Sequence, residues 1–352
     1  MQAKGGKAVM LRTLFVFCLI SGAAIVIAAC VIHLQKDDRE HPLSPGVLLL
    51  KTELAPLDLE GLAVHTPAFE EYRKYYHLNF EDAEHVWGTI SSETYQIATH
   101  IFIPPAARAT VFLVHGYLDH VGRLAPLIQD CLDRQLIVVA YDLPGHGLSS
   151  GKRAYIDSFE VYAAVFQDVF RYCRGFLPTP YYVIGHSTGS SIVLEFLRQR
   201  EQQPFRAIVF LAPLIHHRFW RLSKFAYALA KPFRVKSIPR KRTPPSTNPE
   251  FVSFATQDPM QNARVPLRWV AEVFEWNREI HDMDVLALPL MLIQGTHDSI
   301  VDWKYNIPFL QAKIQGLSVR MIEGAEHQLI HEPPALQHEV FHAIDEWFDA
   351  HQ

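Results

Sequence analysis

The chain has 352 residues, 49% hydrophobic and 20% charged, enough to bury the core of one large domain or of one domain carrying a substantial insertion. That balance excludes disordered, fibrous and repeat classes, and a formal net charge of -4 argues against a nucleic-acid partner for the chain as a whole. Four cysteines are too few for a disulfide scaffold; Cys18 and Cys30 sit in an N-terminal apolar run, and Cys131 and Cys173 read as buried thiols in helices.

Residues 14–32, LFVFCLISGAAIVIAACVI, carry no charge and follow Lys4, Lys7 and Arg12. At helical rise such a run spans about 28 Å, enough to cross a hydrocarbon core. The positive-inside rule then leaves the N-terminus in the cytoplasm and everything after residue 32 on the periplasmic or extracellular side. Ile27-Ala28-Ala29-Cys30 also resembles a bacterial lipobox, in which Cys30 would be lipidated after cleavage; either route tethers the protein. Residues 1–35 are therefore expected to be a transmembrane anchor or lipoprotein signal. Residues 36–84 read as a juxtamembrane linker, charged and then proline-containing over 36–45, followed by an N-terminal extension.

From there the pattern becomes α/β. Residues 94–103 alternate as a strand, and 110–115, 136–141, 181–185 and 207–211 are short apolar runs of the kind buried on both faces. Helical periodicity covers 124–134, 158–174 and 188–200. After an interruption, 288–293 and 319–322 add two strands, with helices near 304–314 and 334–349. Apolar strands alternating with helices imply a mostly parallel sheet covered on both sides. The core divides into 85–213 and 285–352 around an insertion at 214–284.

The stretch YYVIGHSTGSS (181–191) places Ser187 between Gly185 and Gly189, after a strand and before a helix. In that context G-x-S-x-G describes a nucleophile elbow, whose sharp turn leaves no room for side chains two positions to either side of the serine. A serine hydroxyl needs a base to take its proton and a carboxylate to orient the base. Asp298 and His327 each fall in a loop after a later strand, in the order Ser, Asp, His. His331 is the rival base. Asp302, at the start of the next helix, is the rival acid, and Asp142 precedes the nucleophile and reads as structural. The oxyanion of the tetrahedral intermediate needs two backbone donors, expected from Thr188 and from Tyr117 after the strand 110–115. The Tyr117 phenol is expected to pack.

HGYLDHVGRL (115–124), YDLPGHGLSSGKR (141–153), VIGHSTGSS (183–191), LIQGTHDSIVD (292–302) and EGAEHQLIHE (323–332) resemble the monoacylglycerol lipase and lysophospholipase group of α/β-hydrolases, which is serine aminopeptidase S33-like. The resemblance runs from about residue 85 to the C-terminus. It implies the α/β-hydrolase fold, a helical cap, and a triad of Ser187, Asp298 and His327, and it gives the 142–151 loop a scaffolding role. This chain departs from the group by carrying Thr188 and Ser190 where Met and Gly are usual, which leaves acyl preference open.

Residues 214–249 hold nine Lys/Arg and no Asp/Glu, in a chain with 33 basic and 37 acidic residues, so the insertion is a positive patch on an acidic body. Arg218, Arg221 and Lys224 recur beside a stripe of Phe219, Leu222, Phe225 and Leu229, with Trp220 and Tyr227 nearby. Such a helix is expected either to lie in a headgroup interface, cations against anionic lipid, or to pack its apolar stripe on the body. Residues 239–249, PRKRTPPSTNP, read as a flexible or extended segment that lets a cap move, and 264–277, with Trp269, Phe274 and Trp276, as a second cap helix lining an acyl pocket.

Together these features point to a tethered serine esterase acting on monoacylglycerols or lysophospholipids through an acyl-enzyme, with no cofactor and no metal ligand set. The alternatives are a peptidase or amidase of the same fold, and a non-catalytic lipid-binding protein.

Overall fold

The computed structural model describes residues 43–61, 65–240 and 245–352. The apolar run 14–32, Cys18, Cys30 and the lipobox-like tetrapeptide lie outside them.

Eight strands form one sheet: β1 (Glu84–Ser92), β2 (Tyr95–Ile103), β3 (Ala109–Val114), β4 (Leu136–Tyr141), β5 (Tyr181–His186), β6 (Ala207–Leu211), β10 (Leu290–Gly295) and β12 (Ser318–Ile322). Their spatial order is β1-β2-β4-β3-β5-β6-β10-β12. β2 runs antiparallel to both its neighbours, β1 and β4, and the six strands from β4 to β12 are parallel to one another. Every residue of β3, β4, β6 and β10 is buried, which explains why these strands read as continuous apolar runs. β10 starts at Leu290, two residues later than expected, because Pro289 has no N–H to give a ladder. Two pairs of very short strands, β7 (Ser237–Pro239) with β8 (Arg264–Pro266) and β9 (Leu286–Ala287) with β11 (Ile314–Gln315), stand apart from this sheet.

One face is covered by α4 (Phe159–Cys173) and α5 (Thr188–Arg198). Ser158 caps α4 by accepting from the Glu160 N–H, and the helix turns Phe159, Tyr162, Phe166, Val169, Phe170 and Cys173 inward at helical spacing. Phe112, Phe166, Phe170, Phe196 and Phe205 meet there with ring centroids 4.8–6.3 Å apart. Truncating Phe166 to Ala would cost about 4 kcal/mol. The other face carries α3 (Ala125–Asp133) and α10 (Pro334–Asp349). Cys131 and Cys173 are free and buried.

The N-terminal region is more structured than a linker. α1 (Pro45–Glu53) and α2 (Pro67–Tyr75) pack Val47, Leu50, Phe69 and Tyr72 onto the sheet, and β1 forms its edge. Pro45, at the end of the stretch 36–45 read as a linker, and Pro67 in the extension stand at helix N1 behind the caps Ser44 and Thr66, where a missing N–H costs nothing.

The insertion comprises α6 (Trp220–Ala230), β7, α7 (Pro249–Gln257), β8 and α8 (Leu267–His281). The segment expected to be flexible is tied down where it is described: Asn248 caps α7, with Pro249 at N1. Residues 241–244 lie outside the described residues.

Candidate active site

Ser187 sits between β5 and α5 with φ 52° and ψ -114°, a strained conformation for a residue with a side chain. Strand pairing imposes it from one side, through a Ser187 N–H to Leu211 carbonyl bond of 2.8 Å. Helix start imposes it from the other, where the Ser187 carbonyl accepts from Ser190 at 3.1 Å. The flanking glycines are obligatory: a Cβ on Gly189 would lie 2.0 Å from the Val114 carbonyl oxygen, and one on Gly185 would lie 2.7 Å from Ser190 Cα.

The loops leaving β3, β10 and β12 converge on this turn. A Cβ on Gly116 would be 3.3 Å from Ser187 Cβ, so the His115-Gly116-Tyr117 backbone runs directly past the serine. The Tyr117 N–H donates to no backbone or side-chain acceptor among the described residues, and Thr188, the first residue of α5, has no intrahelical acceptor for its own N–H. The Tyr117 phenol is occupied elsewhere: its ring stacks on Trp269 at 3.5 Å and its hydroxyl donates to the Ala154 carbonyl at 2.8 Å.

Asp298 and His327, 29 residues apart, meet through a 2.7 Å bond from His327 Nδ1 to Asp298 Oδ2. Gln294 Nε2 donates to the same oxygen at 2.9 Å, and the Ile300 and Val301 N–H groups hold Oδ1 at 2.8 and 3.0 Å. Burial pushes the Asp298 carboxyl up, but the neighbouring imidazole and these donors outweigh it, leaving the group below its usual range. An ionised aspartate accepting from Nδ1–H fixes the tautomer that leaves Nε2 free to act as a base. Ser187, Asp298 and His327 are all buried.

Among the described residues none of the alternatives bonds to this pair. His331 stacks on Phe251 at 3.8 Å and is held down to about 3 by burial and by Arg123. Asp302 stands immediately before α9 (Trp303–Lys313), its side chain making no cap bond. Asp142 Oδ1 and Oδ2 accept from the Val121 and Leu148 N–H groups at 2.8 and 2.7 Å, a scaffold for the loop after β4.

Two supporting residues were not foreseen. Gln294 is the one polar side chain in the strand LMLIQG, a signal the sequence did contain. His186 Nε2 donates to the His327 carbonyl at 3.1 Å, and burial holds its ring down to about 4, hence neutral; nothing in its spacing distinguishes it among 19 histidines.

The insertion bounds a partly open cavity of about 290 Å³, lined almost entirely by apolar groups, most of them from α6 and α8, among them Tyr227, Val270, Val273 and Phe274. Trp269 joins this wall to Tyr117, and His217, bridged to Val301, joins it to the Asp298 loop. Trp276, expected here, is instead buried against Phe159 and donates to Glu195 at 2.9 Å. On the outer side of α6, Phe219, Leu222 and Phe225 are 61–63% exposed, with Arg221 and Lys224 exposed beside them. Arg218, also exposed, precedes the helix, and Trp220 turns inward to stack on His216 at 4.1 Å. The apolar stripe thus does not pack on the body; Trp220 and Tyr227 face inward, against Phe274 of α8 within the insertion.

The profile of the family Hydrolase_4, described as serine aminopeptidase, S33, matches residues 105–334. Human monoglyceride lipase is 28% identical over 251 residues, which are 68% of this chain and 82% of the human protein. A solved monoacylglycerol lipase from Paleococcus ferrophilus superposes with a TM-score of 0.64 at 26% identity, covering 73% of this chain and 99% of that one. A monoglyceride lipase from Saccharomyces cerevisiae, in complex with a substrate analog, shares the fold at a TM-score of 0.67 and 16% identity, over 78% of this chain and 96% of that one.

Proposed function

The chain belongs to the Hydrolase_4 (serine aminopeptidase, S33) family of α/β-hydrolases, and from that premise we propose that it is a membrane-tethered serine hydrolase cleaving carboxylic esters of single-chain lipids, of the monoacylglycerol or lysophospholipid type. The observation that carries this reading is the buried Asp298–His327 bond at the ends of β10 and β12, beside a strained Ser187 at the end of β5. In the reaction His327 Nε2 takes the Ser187 proton as Oγ attacks the ester carbonyl, and the Tyr117 and Thr188 N–H groups receive the oxyanion. His327 returns the proton to the leaving alkoxide. Water, deprotonated by the same base, then attacks the acyl-enzyme, and His327 passes that proton to Ser187 Oγ as the ester bond to the serine breaks and the acid leaves.

The cavity beneath α6 and α8 is apolar and suited to an acyl chain, and the relatives named as monoglyceride lipases favour a small polar leaving group. Among the described residues no helix is long and apolar enough to cross a membrane, so tethering rests on the run 14–32. The exposed stripe and cations of α6 supply a second contact with anionic lipid.

The test is a hydrolysis panel of monoacylglycerols, lysophospholipids and diacyl phospholipids of graded chain length, run beside fluorophosphonate labelling. Ser187→Ala should abolish both turnover and labelling; labelling that persists would move the nucleophile elsewhere. The family's aminopeptidase description favours a second reading, an amidase, and faster turnover of aminoacyl-arylamides than of acylglycerols would establish it. A wild type with neither turnover nor labelling would favour a lipid-binding protein instead.

A further inference from the structure

Two carboxylates outside the triad lie in series behind His327. Glu326, the residue before it, accepts from the Ser299 N–H at 3.1 Å and the Ser299 hydroxyl at 2.9 Å through one oxygen, Oε2. Ser299 follows Asp298, so this bond clamps the acid loop to the histidine loop. Glu332 closes the same loop from behind: its Oε1 accepts from the Glu326 N–H at 3.1 Å. Only 1% of Glu332 is exposed.

The Glu332 carboxylate also reaches the insertion. Oε2 accepts from the Thr247 N–H at 3.1 Å and from the Thr247 hydroxyl. Two more bonds join the same segments, the Gln328 N–H to the Pro245 carbonyl at 3.1 Å and the Ser246 hydroxyl to the His331 carbonyl at 3.0 Å. A buried charge needs its partners, and all three donors to Glu332 belong either to the loop that carries His327 or to the arm that leads into α7.

We propose that Glu332 is a positioning residue for His327 which makes the placement of the base depend on the seating of the cap arm at Thr247. The inference rests on the reading of His327 as base. A carboxylate can accept on both sides at once, whereas a carboxamide presents N–H groups on one side and must abandon either the Glu326 amide or Thr247. Release of either lets the histidine loop shift against Asp298, and sub-ångström shifts of a base are costly in rate while leaving substrate binding intact.

The test uses the full chain. Turnover of p-nitrophenyl butyrate and the rate of Ser187 labelling by a fluorophosphonate are measured for Glu332→Gln, Thr247→Val and Thr247→Ser, with thermal melting to score folded protein. In Glu332→Gln, kcat and labelling rate should fall together by about tenfold or more with KM within about twofold, since both steps need the base. Thr247→Val should show the same split more weakly, and Thr247→Ser, which keeps the hydroxyl, should restore wild-type rates. A folded Glu332→Gln protein with unchanged kcat and labelling overturns the proposal. If that variant does not fold, equal rates for Thr247→Val and Thr247→Ser overturn it. A wild type that the probe never labels sinks this inference and the triad together; a labelled wild type matched by Glu332→Gln sinks this one alone.

Discussion

Asp298 and Asp302 follow the same strand four residues apart, and their environments separate them. Asp298 accepts four hydrogen bonds, one from His327, whereas Asp302 lies at the mouth of α9 and contributes its carbonyl to the Tyr305 and Asn306 amides. Asp298→Asn keeps the shape but puts N–H groups where donors already point, so it disturbs the tautomer of His327 rather than substrate binding. The expected result is a loss in kcat of roughly 10³-fold with little change in KM, against less than about twofold for Asp302→Asn. Steady-state hydrolysis of p-nitrophenyl butyrate by the two variants decides; equal losses, or a larger one at Asp302, would reassign the acid. Much at this scale was legible, because strand-end loops and glycine spacing are local properties. Glu332 was not, since its role depends on an amide six residues back and a threonine 85 residues back, which no periodicity brings together.

Among elements, α6 departs most from ordinary packing. A cap helix is expected to hide its apolar stripe, yet here the stripe Phe219, Leu222, Phe225 and Leu229 faces outward while Trp220, Ser223 and Tyr227 turn toward α8 and the cavity it lines. The stripe itself could be read from spacing, but its direction could not, because both sides of this helix carry aromatics and only contact with Phe274 on α8 selects the inner one. The first N-terminal helix was missed for a related reason: Pro45 signals a break and an N1 position equally well until a cap is seen. Exposed aromatics flanked by Arg221 and Lys224 are suited to an anionic headgroup interface. In a chain shortened by residues 1–35, replacing Phe219, Leu222 and Phe225 together by Ser should lower affinity for phosphatidylglycerol vesicles by tenfold or more, each side chain being worth about 1.5 kcal/mol or above when buried. Turnover of a soluble short-chain ester should stay within about twofold. Sedimentation with vesicles measures the first, and binding equal to wild type would exclude this face as the membrane contact.

Across the whole molecule, neutral histidines are part of the core. His85, His100, His115, His146, His186 and His331 are buried and all held below the ordinary imidazole value, first by desolvation; His100 and His186 are brought to about 4, and His146 and His331 to about 3. A group whose folded pKa is depressed contributes stability that is present above its unfolded value, near 6.5, and lost as pH falls toward the folded one. His120 runs the other way. Although burial lowers it, its 2.8 Å bond to Asp258 prevails and raises it, so its contribution is full below 6.5 and fades as pH rises through the folded value. The depressed rings, which also include the partly buried His216 and His217, outnumber the raised one and leave a strong net dependence: a depressed histidine costs at most about 1.4 kcal/mol per pH unit between its unfolded and folded values, or roughly 6 kcal/mol per unit for His100, His146, His186 and His331 together. A domain with 5–15 kcal/mol of total stability cannot sustain that for much more than about one to two units. Acid unfolding is therefore expected with a midpoint near pH 5, above the ordinary carboxylate values near 4. Proton uptake on urea unfolding should be close to zero at pH 7.5 and reach several protons per chain at pH 5.5. His146→Gln should lower that uptake by about one. Uptake below one proton at pH 5.5 would mean that these rings are already protonated in the folded state, and that the core tolerates charge where this packing does not allow it.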